Sequence, residues 1–344
     1  MSRLLKYCLY LLLLLMTPLV IYVYLNIAPD KSVEELSQRW GHEPSQFLNI
    51  AGMNIHLRDE GPKTDNEPIV LIHGTSASLH TWNGWVDALK ENRRVIRFDL
   101  PTFGLTGPDP KNNYKIERYA EVVIAVLDEL KVKKVVLGGN SLGGHVSWAT
   151  AVLYPNRVSK LVLVDSSGYT FQLTSVPLAF QLAQHPLTRV LLKDVLPKSL
   201  VAVSVKNVYG NPDLVTDELV NRYYDLSLRE GNRNALKARF EQMSPGFLVD
   251  KLKTINVPTL IIWGGKDQLI LPKFGKQFNQ DIANSHLVVF KDLGHVPHEE
   301  DPQATVLAVK LFLKGNKWKQ SLLMPFFGIR RSIRPLPTGS VAIT

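Results

Sequence analysis

The sequence predicts an α/β fold in which a mostly parallel, eight-stranded sheet is flanked by helices. Short apolar runs of strand length alternate with helical apolar spacing over residues 47–168, and this alternation returns over residues 256–315. Parallel strands that are covered on both faces have continuous apolar runs of this kind. Between the two parts, residues 169–255 contain helical segments separated by prolines and no strand-loop-helix unit. We therefore predict a core in two parts with a helical cap inserted between them.

The individual strands and helices follow from the spacing of apolar residues. Alternating residues on either side of Ala51 and Gly52 predict an N-terminal hairpin. The predicted strands cover residues 47–50, 53–58, 68–72, 94–99, 134–138, 161–165, 259–263 and 286–290. Helical spacing predicts helices near residues 82–89, 119–130, 142–154, 274–282 and 304–313.

Composition excludes several classes of protein. A chain of 344 residues with 45% hydrophobic and 21% charged residues is globular, and it is neither disordered nor a polytopic membrane protein. The single cysteine, Cys8, allows no intrachain disulfide and no cysteine-based metal site. The formal charge of +9 comes largely from a basic tail, residues 316–344, and basic residues are not interleaved with aromatics on one face. We predict no nucleic-acid partner, and the tail is either a lipid-headgroup contact or a solvated extension.

The N-terminus carries an apolar stretch from Tyr7 to Ala28, about 20 residues and long enough to cross a bilayer. Arg3 and Lys6 precede it, which predicts a cytoplasmic N-terminus and a remainder on the non-cytoplasmic side. We predict a single-pass membrane anchor over residues 1–29, with a cleaved signal peptide as the alternative. Polar residues 30–46 are predicted as a juxtamembrane spacer, and the sequence does not set an oligomeric state.

A serine lies in a glycine-rich stretch, Gly139 to Gly143, between an apolar strand and a helical pattern. A serine at a tight strand-to-helix turn has its hydroxyl exposed, and small neighbours let the turn close. This arrangement predicts a nucleophile at Ser141. The alternative is a glycine-rich turn whose serine caps the helix.

Two later loops carry the groups that such a serine needs. A serine hydroxyl requires an imidazole to take its proton and a carboxylate to hold that imidazole. Asp267 and His295 follow two separate predicted strands, in the chain order serine, aspartate, histidine that is expected of this arrangement. Asp165, which follows the strand 161–165, is a second candidate for the carboxylate.

With these residues in place, the sequence resembles the α/β-hydrolase fold superfamily over about residues 47–315, and more closely its capped serine esterase and carbon–carbon bond hydrolase branch. Five stretches in the expected order carry the resemblance: Val70-Leu71-Ile72-His73-Gly74, Asp99-Leu100-Pro101-Thr102-Phe103-Gly104, Gly139-Asn140-Ser141-Leu142-Gly143-Gly144, Trp263-Gly264-Gly265-Lys266-Asp267 and Gly294-His295-Val296-Pro297-His298-Glu299-Glu300-Asp301-Pro302.

The resemblance implies roles for five residues. Ser141 is the expected nucleophile, His295 the general base and then acid, and Asp267 the carboxylate that orients His295. The backbone N–H groups of Leu142 and Thr75 are expected to form the oxyanion hole, which stabilises negative charge on the substrate oxygen.

Other histidines are assigned structural roles: His73 is expected to bond loop backbone, and His298 to lie at the start of a helix. The substrate-binding residues are not fixed by the sequence.

The sequence therefore predicts a serine hydrolase that cleaves carboxylic esters, with lipid-like or other apolar acyl groups, through an acyl-enzyme on Ser141. Relatives that attack an alkyl carbon have an aspartate at the nucleophile position, so a serine there favours an acyl carbon. One alternative is hydrolysis of a carbon–carbon bond in a vinylogous diketone by the same triad. A non-catalytic binding protein is a second alternative, for which a missing triad member would be expected. We predict no cofactor and no metal, since neither a phosphate-binding loop nor a metal-ligand motif is present.

Overall fold

The computed structural model describes residues 3–170 and 195–315. Its centre is one eight-stranded sheet with the strand order β1-β2-β4-β3-β5-β6-β7-β8. The strands are β1 Gln46–Ile50, β2 Met53–Glu60, β3 Ile69–Ile72, β4 Val95–Phe98, β5 Val135–Asn140, β6 Val158–Val164, β7 Thr259–Gly264 and β8 Ser285–Phe290. Only the pairs β1–β2 and β2–β4 are antiparallel; the other five are parallel. The predicted mostly parallel sheet is therefore confirmed.

Helices cover both faces of this sheet. Alternate residues of a strand point to opposite faces, and in β3 Val70 and Ile72 join one buried apolar cluster while Ile69 and Leu71 join another. The helices are α1 Arg3–Leu25, α2 Val33–Trp40, α3 Asn83–Leu89, α4 Ile116–Glu129, α5 Leu142–Leu153, α6 Lys198–Lys206, α7 Asp217–Ser227, α8 Asn232–Glu241, α9 Pro272–Asp281, α10 Pro297–Glu300 and α11 Pro302–Leu313. Helices α4, α5 and α9 contribute to the first cluster, and α3 and α11 to the second. The segment between β6 and β7, residues 165–258, is called the insertion below; α6, α7 and α8 belong to it.

The predicted spacer at residues 30–46 is instead packed against the rest of the molecule. Ser32 caps helix α2 by accepting a hydrogen bond from the backbone N–H of Glu35 at 3.2 Å. Leu36 and Trp40 are buried in a small cluster with Leu105 and Leu226. The sequence predicts a spacer because these two apolar residues stand among charged ones. The segment packs against the molecule instead because both apolar side chains are buried.

No helix in the parts of the chain that the structure describes is long and apolar enough to cross a membrane. The predicted anchor over residues 1–29 is therefore not supported, and neither is the membrane partner inferred from it. The predicted basic tail lies outside the described residues, as does the first part of the predicted cap.

The loop after β4 is organised around Asp99, whose carboxylate is fully buried. Asp99 accepts hydrogen bonds from the ring N–H of His56 at 2.7 Å and from the backbone N–H groups of Leu79 and Leu105 at 2.7 and 2.8 Å. Burial by itself raises the pKa of Asp99, but the charge and hydrogen bond of His56 outweigh it and hold this pKa well below its usual range. Gly104, at φ 54°, passes so close that a Cβ there would lie 2.0 Å from the carboxylate.

Asp99→Asn is expected to lower the free energy of unfolding by about 3–5 kcal/mol, because it removes the charge from a buried carboxylate that accepts hydrogen bonds from His56, Leu79 and Leu105. A depressed pKa adds stability above the unfolded-state value of about 3.9 and loses it as the pH falls towards the folded-state pKa. The difference between wild type and variant should therefore be complete at neutral pH and shrink below about pH 4. Urea unfolding at several pH values measures it. Asp87→Asn, an exposed carboxylate paired with Lys90, is the matched control; an equal loss in both variants would contradict the prediction.

Candidate active site

Ser141 lies at the sharp turn where β5 ends and α5 begins. Its backbone has φ 54° and ψ −115°, a conformation that a non-glycine residue rarely adopts. The flanking glycines are required sterically: a Cβ on Gly143 would lie 2.1 Å from the carbonyl oxygen of Ile72, and one on Gly139 would lie 2.2 Å from that of Gly143. The turn is therefore a strained elbow that lifts the Ser141 side chain away from the sheet, and not a helix cap, since Ser141 makes no side-chain capping hydrogen bond.

His295 and Asp267 are brought together by the parallel pairing of β7 and β8. The Nδ1 atom of His295 lies 2.8 Å from Oδ2 of Asp267, and both side chains are buried. The other carboxylate oxygen of Asp267 accepts the backbone N–H groups of Leu269 and Ile270 at 2.8 and 3.0 Å. Asp267 is thus fixed in position as an acceptor, which makes Nδ1 of His295 the donor and, in the neutral form of the imidazole, leaves Nε2 as an acceptor.

Asp165, the second candidate for the carboxylate, lies beside Asp267 and not against the imidazole. Its Oδ1 atom accepts the backbone N–H of Gly264 at 2.9 Å. Its Oδ2 atom has no donor among the described residues, and the Asp267 carboxylate is within hydrogen-bonding reach. Burial, and next the negative charge of Asp267, raise the pKa of Asp165 well above its usual range. The raised pKa means that a second negative charge beside Asp267 is disfavoured, and a protonated Asp165 would be able to donate to Asp267.

Two polar residues that the sequence did not single out hold these loops together. Asn140, directly before Ser141, donates its side-chain amide to the carbonyl oxygen of His295 at 2.9 Å. Glu300 accepts the backbone N–H groups of Gly294, Gly210 and Asn211 at 2.8, 2.9 and 2.7 Å. We call these three bonds the Glu300 clasp. It ties the loop after β8 that carries His295, called the histidine loop below, to the insertion.

A separate bond joins the same two segments: His295 N–H donates to the carbonyl oxygen of Val208 at 2.8 Å. Asn140 and Glu300 both lie within stretches that carry the family resemblance, but the residues they bond are distant from them in sequence.

The two predicted oxyanion-hole residues flank the elbow. Leu142 is the first residue of α5, so its N–H is one of the amides that a helix N-terminus leaves unpaired. Thr75 follows Gly74, and a Cβ on Gly74 would lie only 3.2 Å from Cβ of Ser141. The loop after β3 therefore passes directly beside the serine. Two backbone segments at this distance can provide amides for an oxygen bound at Ser141.

The structural roles predicted for two other histidines are confirmed. His73 bonds the carbonyl oxygen of Gly74 through Nδ1 at 2.7 Å and accepts the N–H of Leu100 through Nε2 at 3.0 Å. His298 packs on the ring of Trp82 with 4.0 Å between centroids, and its Nε2 lies 3.1 Å from the Thr81 hydroxyl. Both nitrogens of His73 are thereby used within the fold.

One group of metal-ligand residue types occurs in the described part of the chain, and it is Asp165, Asp267 and His295. Their potential ligand atoms lie within 4.8 Å of one another. Nδ1 of His295, both carboxylate oxygens of Asp267 and Oδ1 of Asp165 are already engaged in the imidazole–carboxylate contact and in bonds from backbone N–H groups. The absence of a metal and of a cofactor stays a prediction.

A family model described as alpha/beta hydrolase fold matches residues 67–302. The chain belongs to the α/β-hydrolase family. A 2-hydroxy-6-oxo-2,4-heptadienoate hydrolase of Pseudomonas putida is 30% identical over 281 residues, which cover 79% of this chain and 96% of that enzyme. An uncharacterized hydrolase of Bacillus subtilis, YugF, is 28% identical over 278 residues, covering 79% of this chain and 98% of that protein.

Among solved structures of this family, a meta-cleavage product hydrolase from Pseudomonas fluorescens IP01 superposes with a TM-score of 0.68 at 26% identity, over 78% of this chain and 97% of the other. The chain is therefore a hydrolase with the α/β-hydrolase fold, and the carbon–carbon bond hydrolase branch of the resemblance is supported.

Proposed function

We propose that this α/β-hydrolase cleaves a carbon–carbon bond in a vinylogous diketone, with Ser141 as nucleophile, His295 as base and acid, and Asp267 as the carboxylate that orients His295. The observation that carries this proposal is the similarity, over nearly the whole length of the relative, to a hydrolase of a 2-hydroxy-6-oxo dienoate. The contact between His295 and Asp267 at 2.8 Å and the strained elbow at Ser141 support the assigned roles.

In the first step, His295 takes the hydroxyl proton of Ser141 as its oxygen adds to the ketone carbon. The negative charge that forms on the ketone oxygen is stabilised by the N–H groups of Leu142 and Thr75. The His295 ring becomes a cation in this step, and the adjacent Asp267 carboxylate favours that charge.

In the second step the carbonyl re-forms and the carbon–carbon bond breaks. The departing carbon is conjugated through a double bond to the second carbonyl, so the electron pair of the broken bond is delocalised onto oxygen. His295 returns its proton to this fragment. Water, deprotonated by His295, then attacks the acyl-enzyme and releases a carboxylic acid and free Ser141. The sum is one diketone and one water giving one acid and one enol.

Carboxylic ester hydrolysis, predicted from the sequence as the main activity, shares the attack by Ser141 on a carbonyl and differs only in the leaving group. Nothing at the elbow distinguishes an alkoxide from an enolate. The similarity to a dienoate hydrolase favours the carbon–carbon bond. We therefore place ester cleavage second.

A substrate comparison tests the order of the two activities. Purified protein is assayed on a 2-hydroxy-6-oxo dienoate, followed by loss of its conjugated absorbance, and on 4-nitrophenyl butyrate. We expect kcat/KM for the dienoate to exceed that for the ester by about 100-fold or more. The reason is that a site built for the whole conjugated chain binds the transition state of the dienoate more tightly than that of the ester. Ester turnover without dienoate turnover would overturn the proposal in favour of an esterase, and turnover of neither would count against both.

A further inference from the structure

The histidine loop is bonded to the insertion by more than the Glu300 clasp. Glu299, next to the clasp residue, forms an ion pair with Arg222 of helix α7 and accepts the hydroxyl of Tyr223 at 2.9 Å. Both side chains of the ion pair are largely buried. Two consecutive glutamates, four and five residues after His295, therefore direct their carboxylates to the insertion.

The residue directly after His295 packs into the apolar core of the insertion. Val296 is only 5% exposed and belongs to a buried cluster with Val201, Val205 and Tyr209. These three residues, and the partly buried apolar residues packed around them, all belong to the insertion. Burial of apolar surface stabilises this contact in addition to the polar bonds. The histidine loop thus contributes a side chain to a core that the insertion otherwise builds.

The backbones of the two segments also lie in direct contact. A Cβ on Gly210, in the turn that Glu300 binds, would lie 2.4 Å from the carbonyl oxygen of Asp292. A Cβ on Gly294 would lie 2.4 Å from the backbone nitrogen of Gly210. No side chain fits between the turn and the loop at this point. A displacement of the turn must therefore displace the histidine loop with it.

The serine elbow is held by other elements. The N–H of Ser141 donates to the carbonyl oxygen of Val164 in β6 at 3.0 Å, and the N–H of Ser167, directly after β6, donates to the carbonyl oxygen of Ser141 at 3.0 Å. The base and the nucleophile are thus held by different parts of the chain. A general base must come within hydrogen-bonding distance of the proton it takes, and a misplacement of about 1 Å can cost about 100-fold in rate.

We propose that Glu300 is a positioning residue for His295. By holding the histidine loop to the turn at residues 208–211, it places the imidazole for proton transfer with Ser141. A carboxylate suits this task because both of its oxygens accept, whereas an amide offers one acceptor oxygen. The inference rests on the roles that the proposed function gives to Ser141 and His295, and it applies to carbon–carbon bond and ester substrates alike. The insertion thereby takes part in the chemical step.

A small fluorophosphonate tests the placement of His295 apart from substrate binding. In this reaction the Ser141 oxygen bonds to phosphorus, His295 takes the hydroxyl proton and fluoride leaves. Glu300→Gln in the full-length protein leaves at least one of the three clasp N–H groups without an acceptor. The rate constant of labelling should fall by about 10- to 100-fold, while the fraction of protein labelled at the end point stays as in wild type.

The end point separates positioning from a structural role. A variant that is only destabilised contains unfolded molecules, so its labelled fraction falls while its folded molecules react at the wild-type rate. That result would overturn the proposal. Asp30→Asn is the matched control, because Asp30 accepts the N–H of Gly231 at 3.2 Å and binds Arg233 at 3.1 Å, which ties the insertion to the segment before α2. It should be labelled at the wild-type rate.

A His295→Ala background shows whether Glu300 acts through the imidazole. Residues that act as a unit are not additive, so Glu300→Gln should change the residual labelling rate of His295→Ala by less than about threefold. The same fold-loss in both backgrounds would mean that Glu300 acts on some other group, and it would overturn the proposal.

Hydrogen exchange of wild type decides the matter if Glu300→Gln does not fold. The backbone amides of Gly294 and His295 in the histidine loop, and of Gly210 and Asn211 in the insertion, take part in the bonds between the two segments. If these bonds hold the segments as one unit, the four amides should have protection factors that agree within about threefold. Histidine-loop amides that exchange much faster than those of the turn would overturn the proposal.

Failure of the positioning role and failure of the proposed function give different results. Slowed labelling of Glu300→Gln in a protein without dienoate turnover would reject the carbon–carbon bond reaction and keep the positioning role. Dienoate turnover together with wild-type labelling of Glu300→Gln would keep the reaction and reject the role. Where both hold, kcat on the dienoate should fall by the same factor as labelling, with KM within about threefold of wild type.

Discussion

Ser141→Ala is expected to lower kcat by about a millionfold, the loss that follows removal of the nucleophile from a serine triad. The side chain is small and lies in an elbow whose backbone is fixed by its neighbours, so the variant should fold as wild type does. The residual rate should come from substrate binding and the oxyanion amides alone. Steady-state kinetics on the preferred substrate measures the loss.

Covalent labelling by a fluorophosphonate probe gives a second readout of the same residue. Wild type should be labelled and Ser141→Ala should not. Ser159→Ala is a suitable control, since Ser159 lies at the opposite end of the sheet and donates to the carbonyl oxygen of Val135. Equal labelling of wild type and Ser141→Ala would show that the reactive nucleophile is another residue.

The two buried aspartates should respond differently to the same isosteric change. Asp267→Asn is expected to lower kcat by about 10,000-fold, because an amide favours the wrong tautomer of His295 and does not stabilise its cation. Asp165→Asn keeps a donor facing Asp267, so we expect a loss below about tenfold. Kinetics of both variants on one substrate tests this, and a larger loss in Asp165→Asn would reverse the assignment of the triad carboxylate.

Stability against pH gives an independent check on Asp165. A raised pKa means that the folded state holds a proton that the unfolded chain has released, so the stability contribution of this group falls as the pH rises above about 3.9. Asparagine removes this penalty. Asp165→Asn should therefore gain stability relative to wild type as the pH rises from about 4; a constant difference over that range would mean that Asp165 is ionised in the folded protein.

The candidate catalytic residues could be predicted from sequence because each of them depends on local chemistry. The elbow needs glycine at positions 139 and 143 because a Cβ at either position would collide with neighbouring backbone. Any turn of this geometry has the same requirement. Asp267 and His295 each follow a continuous apolar run, and the ends of parallel strands meet at one edge of a sheet. The eight strands were predicted for the same reason.

What the sequence could not give is pairing across long separations. His56 and Asp99 contact each other only because β2 and β4 are neighbours. Nothing in the sequence around either residue predicts this contact. The raised pKa of Asp165 depends on β6 lying next to β7. Arg239 is one of several charged residues on helix α8, and nothing in their spacing shows which of them is buried.

The Glu300 clasp also bears on how the substrate range of this enzyme can be changed. Exchange of the insertion with that of a relative is one way to alter specificity. The turn at Gly210 and Asn211, however, is hydrogen-bonded to Glu300 and so is held to the histidine loop. A chimera with breakpoints at residues 212 and 257 keeps that turn with its own loop, and helices α7 and α8 are replaced. A chimera that begins at residue 166 separates the two and leaves His295 held by a foreign segment. Recombination on the C-terminal side of Asn211 is therefore the safer route to new activities.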